Sequence, residues 1–204
     1  MPPTPSAPSR FVFDKTRFPI LAELEAAFPI FLEEMQALSR DEYVLWPDTD
    51  AYLGEWWLFI LFYNSYPDSL VVDFEANQRR CPRSMEFFAK HPSIFAAGFS
   101  WMEPGCHIVP HVDLKPDTQL RAHLALRIPD GAGFRVGDER HTWRDGEALV
   151  FEGLIDHETA NFGSEPRILM MVDFTLTEEE LAYSREFMSK VDPKFLASGG
   201  GRTM

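Results

Sequence analysis

The sequence is short of cysteine, of basic residues and of long apolar runs. Its 204 residues include only Cys81 and Cys106 as cysteines, too few for a disulfide framework and without paired metal spacing. Acidic residues outnumber basic ones by 32 to 19, and this balance argues against the clustered cations that nucleic-acid binding needs. The longest apolar run, residues 56–63, is far below the roughly 20 residues that span a bilayer. We therefore expect neither a nucleic-acid partner nor a membrane span.

Length and composition indicate one globular domain over residues 1–204. Hydrophobic residues make up 45% of the chain and 18 residues are phenylalanine, which is typical of a folded protein with an aromatic core. Residues 1–9, rich in proline and serine, are expected to form a flexible arm, and residues 198–204 a loose tail. The start of the chain has neither the charged beginning nor the hydrophobic centre of a secretory signal. A cytoplasmic protein is the expectation.

Helical spacing dominates the first part of the chain. From residue 20 to residue 38, apolar residues recur at three- and four-residue steps, as in an amphipathic helix. Pro29 lies inside this pattern and predicts a kink or a break into two helices. A second short helix is predicted over residues 82–90, and the run 56–63 indicates a buried strand or short core element. Residues 10–93 are thus expected to be mostly helical.

The pattern of apolar and polar residues changes after residue 93. Short apolar segments separated by turn signals at intervals of about ten residues predict a β-sandwich or barrel over residues 94–174. Thr177 and Glu180 then have the spacing of a capping box, which predicts a C-terminal helix over residues 177–190. The predicted strands are 96–102, 107–111, 121–128, 134–136, 139–143, 148–151, 157–161 and 167–174.

Two histidines and one aspartate have the spacing of a metal site. If Val112 lies in an extended strand, the side-chain period of two puts His111 and Asp113 on the same face. A neighbouring strand carrying His157 would complete the set, and two imidazoles with one carboxylate suit ferrous iron with open positions. A triplet of this kind followed by a distant histidine also arises by chance. On spacing alone, ordinary polar residues near turns are the better explanation of these residues.

Further motifs surround the triplet in a fixed order. They are FSWMEPG at 99–105, PH at 110–111, LRAHLAL at 120–126, TWRDG at 142–146 and HE at 157–158, with an arginine at 167. With these motifs, residues 81–173 resemble the aspartyl/asparaginyl β-hydroxylase family, whose members are iron(II)- and 2-oxoglutarate-dependent oxygenases. The resemblance implies a mainly β fold, with a double-stranded β-helix core of jelly-roll or cupin-like type over residues 94–174 and flanking N-terminal and C-terminal helices.

The resemblance implies that His111 and His157 are iron ligands. Animal members of the family have glycine where this chain has Asp113, and they bind iron through two histidines only. This sequence restores a carboxylate at that position. We therefore expect His111, Asp113 and His157 to be the metal-binding and catalytic residues.

The same resemblance places Arg167 and Ser100 on the distal carboxylate of 2-oxoglutarate. An arginine fork binds a carboxylate through two parallel charge-assisted hydrogen bonds, which lysine does not reproduce. Arg167 also begins an apolar strand, where a buried arginine needs an anionic partner. The alternative for Arg167 is a surface ion pair with Glu165 or Asp173. For Ser100, the alternative is a core hydroxyl that bonds to the backbone.

Arg121 and His123 match an Arg-x-His motif of the family. Two residues apart in a strand, they face the same side. The resemblance implies that His123 lies near the metal-binding carboxylate of the cosubstrate and that Arg121 binds the substrate. A satisfied core histidine is the alternative for His123.

With these residues in place, the resemblance implies a hydroxylase that uses iron(II), 2-oxoglutarate and O2. The resemblance implies attack on an unactivated C–H bond of an amino acid, or of a peptidyl or otherwise amino-acid-derived substrate, with release of succinate and CO2. Two alternatives belong to other classes. One is a metal-dependent cupin-type enzyme that does not use 2-oxoglutarate, in which Ser100 and Arg167 would have no role. The other is a non-catalytic binding module on the same barrel.

Overall fold

A computed structural model describes residues 9–63, 71–113 and 115–196 of the chain. The predicted arm over residues 1–9 lies outside the described residues except for Ser9, and so does the predicted tail over residues 198–204. Within the described ranges, no helix has the length and apolar character needed to cross a membrane.

Eleven strands and five α-helices are found in the described ranges. The strands are β1 (Val44–Leu45), β2 (Tyr52–Leu53), β3 (Trp56–Phe62), β4 (Ile94–Met102), β5 (His107–His111), β6 (Gln119–Arg127), β7 (Ala132–Val136), β8 (Glu139–His141), β9 (Ala148–Phe151), β10 (His157–Asn161) and β11 (Arg167–Thr175). The helices are α1 (Pro19–Ala26), α2 (Phe28–Gln36), α3 (Phe74–Arg80), α4 (Pro82–Ala89) and α5 (Glu178–Met188), with 3-10 turns at Lys15–Arg17, Arg40–Glu42 and Pro193–Phe195.

The strands form two antiparallel sheets. One has the order β1-β3-β4-β11-β6-β9 and the other has the order β2-β5-β10-β7-β8. From β4 to β11, successive strands pass between the two sheets, apart from the β7–β8 hairpin, which stays in one of them. This order is the double-stranded β-helix, or jelly roll, so the predicted fold is confirmed. All eight predicted strands are present, and their ends differ from the prediction by no more than two residues.

The six-stranded sheet has two different faces because side chains alternate along each strand. In β11, Met170 and Val172 point outward into the main hydrophobic core, where the helices pack. Their neighbours Arg167, Met171 and Asp173 point inward and line the cavities between the sheets. The inner face therefore carries the polar residues that form the site.

Pro29 breaks the first helix, as predicted. Helix α1 ends at Ala26, and α2 begins at Phe28 with Pro29 in its first turn. Proline is tolerated there because the first-turn N–H groups have no partner inside the helix. The predicted helix over residues 82–90 and the C-terminal helix with its Thr177 capping box are also confirmed.

Residues 10–93 contain three strands as well as the predicted helices, and the run predicted as a buried strand or short core element over residues 56–63 is strand β3. Strands β1, β2 and β3 lie in this part of the chain, and β3 pairs with β4 to extend the six-stranded sheet. Strand β3 is apolar along its whole length because one face packs under the helices and the other lines the space between the sheets. A strand buried on both faces shows no alternation of apolar and polar residues. The length of the apolar run then distinguishes a strand from a helix better than periodicity does.

Candidate metal and cosubstrate site

Three side chains with metal-binding atoms converge at the end of β5. His111 is the last residue of β5 and is the cross-strand partner of His157, the first residue of β10. Asp113 follows two residues later, where its backbone N–H donates to the carbonyl of Gly153 at 2.8 Å. One ligand atom from each of the three lies within 4.8 Å of the others. The structure therefore brings the three predicted ligands together.

Backbone carbonyls orient both imidazole rings. Nδ1 of His111 lies 2.7 Å from the carbonyl oxygen of Val109, and Nδ1 of His157 lies 2.9 Å from that of Ile155. Each Nδ1–H donates to its carbonyl, so each Nε2 carries a free lone pair. The two Nε2 atoms face Asp113, at 3.7 and 3.9 Å from its carboxylate oxygens. Burial lowers the pKa of His157 to about 4, which keeps this ring neutral and able to bind a metal.

Asp113 is held as an anion. Burial raises the pKa of its carboxyl, but the positive charge of Arg121, with smaller contributions from the two histidines, outweighs this effect and leaves the pKa below its ordinary value. Two imidazoles and one carboxylate on one face are the donor set of non-haem ferrous iron sites with open positions, and the two nitrogen ligands distinguish it from an all-oxygen calcium site. The donor set therefore fits the predicted metal.

Gly153 leaves the space that the Asp113 carboxylate occupies. A Cβ atom at Gly153 would lie 2.7 Å from Oδ2 of Asp113, closer than such atoms pack in proteins. Gly153→Ala is therefore expected to displace this carboxylate and to weaken iron(II) binding by about tenfold. Equilibrium dialysis against iron(II) under nitrogen measures the change.

A matched control for that substitution is Gly133→Ala in β7. There a new Cβ meets only the carbonyl oxygen of His141, at 3.0 Å, outside the metal-binding cluster. We expect Gly133→Ala to leave iron affinity within about twofold of wild type. Equal losses in the two variants would show that Gly153 has no specific role at the metal site.

Arg167 is a buried cation next to the metal-binding cluster. Its side chain is 2% exposed and lines the same cavity as His111 and His157. Burial lowers the pKa of Arg167 to about 9, so it stays charged at neutral pH. Among the described residues it has no carboxylate partner, and its Nε has no hydrogen-bond acceptor. A charge in this condition needs an anion from outside the chain.

Ser100 lies beside Arg167, and its hydroxyl oxygen already accepts two hydrogen bonds. Its Oγ accepts a hydrogen bond from Arg167 at 3.2 Å and another from the indole Nε1 of Trp56 at 3.0 Å. With both lone pairs occupied, the hydroxyl proton points away from these donors and is available to an acceptor. Arg167 and Ser100 thus offer several hydrogen-bond donors to one carboxylate.

Trp56 is a site residue that the sequence left unassigned. It lies in an aromatic run, for which a core position is the usual explanation. In the structure, Trp56 both lines the cavity and fixes the Ser100 hydroxyl. Trp56, Leu58 and Ile60 are spaced two residues apart and share the inner face of β3. This spacing was the sequence feature that could have assigned Trp56 to the inner face.

His123 is buried against the same cavity, and its Nδ1 has no hydrogen-bond partner among the described residues. Burial lowers the pKa of His123 well below its ordinary value, and the charge of Arg167 adds to this effect. His123 is therefore not a core histidine whose hydrogen bonds are satisfied, which is the alternative explanation for it. An unsatisfied buried nitrogen beside a cavity suits a bound polar molecule.

Replacing His123 with phenylalanine is expected to flatten the acid side of the stability profile. Because His123 is neutral when folded, the unfolded chain binds a proton below about pH 6.5 that the folded chain does not. The free energy of unfolding therefore falls with decreasing pH in wild type, and less so in His123→Phe. Urea unfolding of the metal-free proteins between about pH 5 and pH 7.5 measures this difference. Parallel profiles would contradict the neutral assignment.

Arg121 faces the inner side with His123, as predicted, but it is already paired. Its Nε and one terminal nitrogen donate to Asp173 at 2.7 and 2.9 Å across the β6–β11 ladder. Asp173 is also one of the two carboxylates with which the sequence allows Arg167 to form a surface ion pair. Arg167 and Asp173 lie on the same face of β11 but six residues apart, which is about 20 Å in a strand, so they do not meet.

The chain matches the sequence profile of the aspartyl/asparaginyl β-hydroxylases over residues 20–176. It belongs to this family. An ornithine lipid ester-linked acyl 2-hydroxylase of Rhizobium tropici is 30% identical over 179 residues, which cover 80% of this chain and 59% of the relative. The human aspartyl/asparaginyl β-hydroxylase is 29% identical over 162 residues, which cover 75% of this chain and 18% of the relative.

This family member spans less than two thirds of the length of either of those relatives. Among solved structures, a 2OG-Fe(II) oxygenase family oxidoreductase of Burkholderia pseudomallei aligns with a TM-score of 0.46 at 16% identity. That alignment covers 76% of this chain and 90% of the other. The fold assignment given above rests on the strand pairing itself.

Proposed function

We propose that this protein is an iron(II)- and 2-oxoglutarate-dependent hydroxylase. It would use O2 to hydroxylate an unactivated C–H bond of an amino-acid-derived or peptidyl substrate, with release of succinate and CO2. The observation that carries the proposal is the pairing, in one cavity, of the His111, Asp113 and His157 cluster with the buried cation of Arg167, which has no carboxylate partner among the described residues. A cupin enzyme without 2-oxoglutarate, or a binding module without chemistry, leaves that buried charge unexplained.

The predicted metal ligands and the residues around Arg167 would bind different groups. His111, Asp113 and His157 would hold iron(II) on one face, and the bound metal and cosubstrate together would supply the oxidation. Arg167 and Ser100 would hold the distal carboxylate of 2-oxoglutarate and so set its position relative to the metal. His123, whose Nδ1 is unsatisfied, would donate to the carboxylate nearer the metal.

Apolar side chains keep water away from this region. Ile108, Phe151 and Met171 line the cavity beside the polar groups. Their low polarity strengthens the attraction between Arg167 and a bound carboxylate, because less solvent screens the two charges. The two relatives named above are, respectively, a hydroxylase of an ester-linked acyl chain and a hydroxylase of aspartyl and asparaginyl residues.

Anaerobic reconstitution tests the proposal. Addition of iron(II) and 2-oxoglutarate to the purified protein is expected to produce the weak visible charge-transfer absorption of the chelate. Glutarate, which lacks the keto oxygen, is the matched control and should produce none. Absence of the absorption with 2-oxoglutarate, while iron(II) alone binds, would favour the cupin alternative and overturn the proposal.

A further inference from the structure

The motif TWRDG, over residues 142–146, has no part in the site described above, although it belongs to the motifs that carry the family resemblance. It follows β8 and leads into β9. Gly146 has a φ of +82°, a conformation that favours glycine, and the carboxylate of Asp145 accepts a hydrogen bond from the backbone N–H of Ile128 at 2.8 Å. This turn therefore fixes the path of the chain next to Trp143.

Trp143 is buried against Arg167. It is 3% exposed, and the central carbon of the Arg167 guanidinium lies 4.6 Å from the centre of the indole ring. A cation at this distance over an aromatic face is attracted by the charge distribution of the ring, and the attraction is stronger where water is excluded. Phe134 packs against the indole with 4.7 Å between the ring centres and belongs to the same hydrophobic cluster. The indole is therefore a rigid support for the guanidinium.

The indole lies behind the guanidinium as seen from the cavity that holds the metal-binding cluster. Arg167 lines this cavity, whereas Trp143 is not among its described lining residues. On its other side, Arg167 donates a hydrogen bond from one terminal nitrogen to Oγ of Ser100 at 3.2 Å. The Ser100 hydroxyl and the Trp143 ring therefore set how far the guanidinium reaches into the cavity.

We propose that Trp143 is a positioning residue that fixes the depth of Arg167 and thereby selects the cosubstrate by its chain length. This inference rests on the proposed function and concerns its cosubstrate site. A 2-oxo acid held at the metal position must reach the guanidinium with its distal carboxylate, so the distance between the two sets the number of methylene groups that fit. With the indole in place, that chain is the one of 2-oxoglutarate. A smaller side chain at position 143 lets the guanidinium recede and admits a longer acid.

Two substitutions test the support of Arg167. Trp143→Leu removes the aromatic face and is expected to weaken 2-oxoglutarate binding at least about tenfold, whereas Trp143→Phe keeps an aromatic face and should lose no more than about threefold. Iron(II) affinity should stay within about twofold of wild type in both variants, because Trp143 lies outside the metal-binding cluster. Anaerobic isothermal titration measures the cosubstrate affinity, and equilibrium dialysis measures the iron(II) affinity.

Chain-length preference is the measurement that a merely structural role of Trp143 would not change. 2-Oxoadipate has one methylene group more than 2-oxoglutarate, and oxaloacetate has one fewer. In Trp143→Leu, the affinity for 2-oxoadipate relative to that for 2-oxoglutarate is expected to rise at least about tenfold, and the relative affinity for oxaloacetate is expected not to rise. An unchanged preference for 2-oxoglutarate over 2-oxoadipate would overturn the inference, and so would an equal gain for the shorter acid.

Trp57→Leu is the matched control. The indole of Trp57 also stacks on an arginine, with the guanidinium carbon of Arg40 3.4 Å from the ring centre, but Arg40 pairs with Glu55 and Glu103 away from the metal-binding cavity. This variant should keep the wild-type cosubstrate affinity and chain-length preference within about twofold. A loss of 2-oxoglutarate affinity as large as that in Trp143→Leu, either in this control or in Trp143→Phe, would overturn the inference. A parallel loss of iron(II) affinity in Trp143→Leu would overturn it too.

A double-mutant cycle separates this inference from the proposed function. Urea unfolding of the metal-free wild type, Trp143→Leu, Arg167→Met and the double variant measures the coupling between the two side chains without any cosubstrate. The effect of Trp143→Leu on the unfolding equilibrium constant should be at least about fivefold smaller when Arg167 is replaced. Coupling of this size in a wild-type protein that binds no 2-oxoglutarate would overturn the proposed function and leave the support of Arg167 by Trp143 in place. Additive effects, with normal 2-oxoglutarate binding by wild type, would overturn the role of Trp143 alone.

Discussion

Arg167→Met is expected to lose 2-oxoglutarate binding and, at the same time, to stabilise the metal-free protein. Removing the cation would leave the distal carboxylate of a bound cosubstrate buried without its partner, at a cost of about 3 kcal/mol, or roughly 100-fold in affinity. Without cosubstrate, the wild-type protein buries the Arg167 charge with no carboxylate among the described residues. Methionine fills much of the same volume without a charge, so the free energy of unfolding should rise by about 1–3 kcal/mol.

Isothermal titration with 2-oxoglutarate and urea unfolding measure the two effects. Arg135→Met is the matched control, because Arg135 also lies in the jelly roll but pairs with Asp156 and Glu158, each at 2.6 Å. That variant should lose stability and keep its cosubstrate affinity. Unchanged 2-oxoglutarate affinity in Arg167→Met would remove Arg167 from its proposed role, and a loss of stability would show that its charge is compensated.

Asp113→Asn is expected to weaken iron(II) binding by about 100-fold or more. The amide keeps the size of the side chain but removes the anion among the three predicted ligands, and changes even in residues behind the ligands commonly cost 10- to 100-fold. Anaerobic equilibrium dialysis of wild type and variant measures the effect. This substitution also tests the ligand for which the family resemblance gives no support, since the animal members have glycine there.

The control for Asp113→Asn is the same chemical change at Asp156. Asp156 directly precedes His157 in sequence, but its carboxylate lies 2.6 Å from Arg135 and its side chain is 42% exposed. Iron affinity in Asp156→Asn should stay within about twofold of wild type. If Asp113→Asn binds iron(II) as tightly as this control does, the metal is held by the two histidines and Asp113 has another role.

Local patterns in the sequence were sufficient for most of the secondary structure. The break at Pro29, the Thr177 cap and the eight core strands follow from proline chemistry, side-chain capping and turn spacing, each of which acts within a few residues. The strand β3 was harder to predict, because a strand buried on both faces has no alternating pattern. Its partners, β1 and β4, are set by tertiary packing.

The prediction of the site residues used strand periodicity together with the family motifs. The period of two placed Arg121 with His123 on one face, and the family motifs added Ser100, Arg167 and the two histidines. Sequence could not give the partner of Arg121, because Asp173 lies 52 residues away and meets it through the register of β6 with β11. A register of this kind is set by the packing of the whole sheet.

The sequence by itself determined which residues are proposed to carry the chemistry: two histidines, one aspartate and an arginine in an apolar strand. It did so because the family motifs, the ligand types and the strand period can all be read along the chain without knowledge of contacts between distant strands. Only the tertiary structure decided which charges are already satisfied. Asp173 neutralises Arg121, whereas Arg167 is buried without an anion among the described residues. That difference follows from contacts between distant strands, and it distinguishes Arg167 in the proposed cosubstrate site from Arg121 in the same sheet.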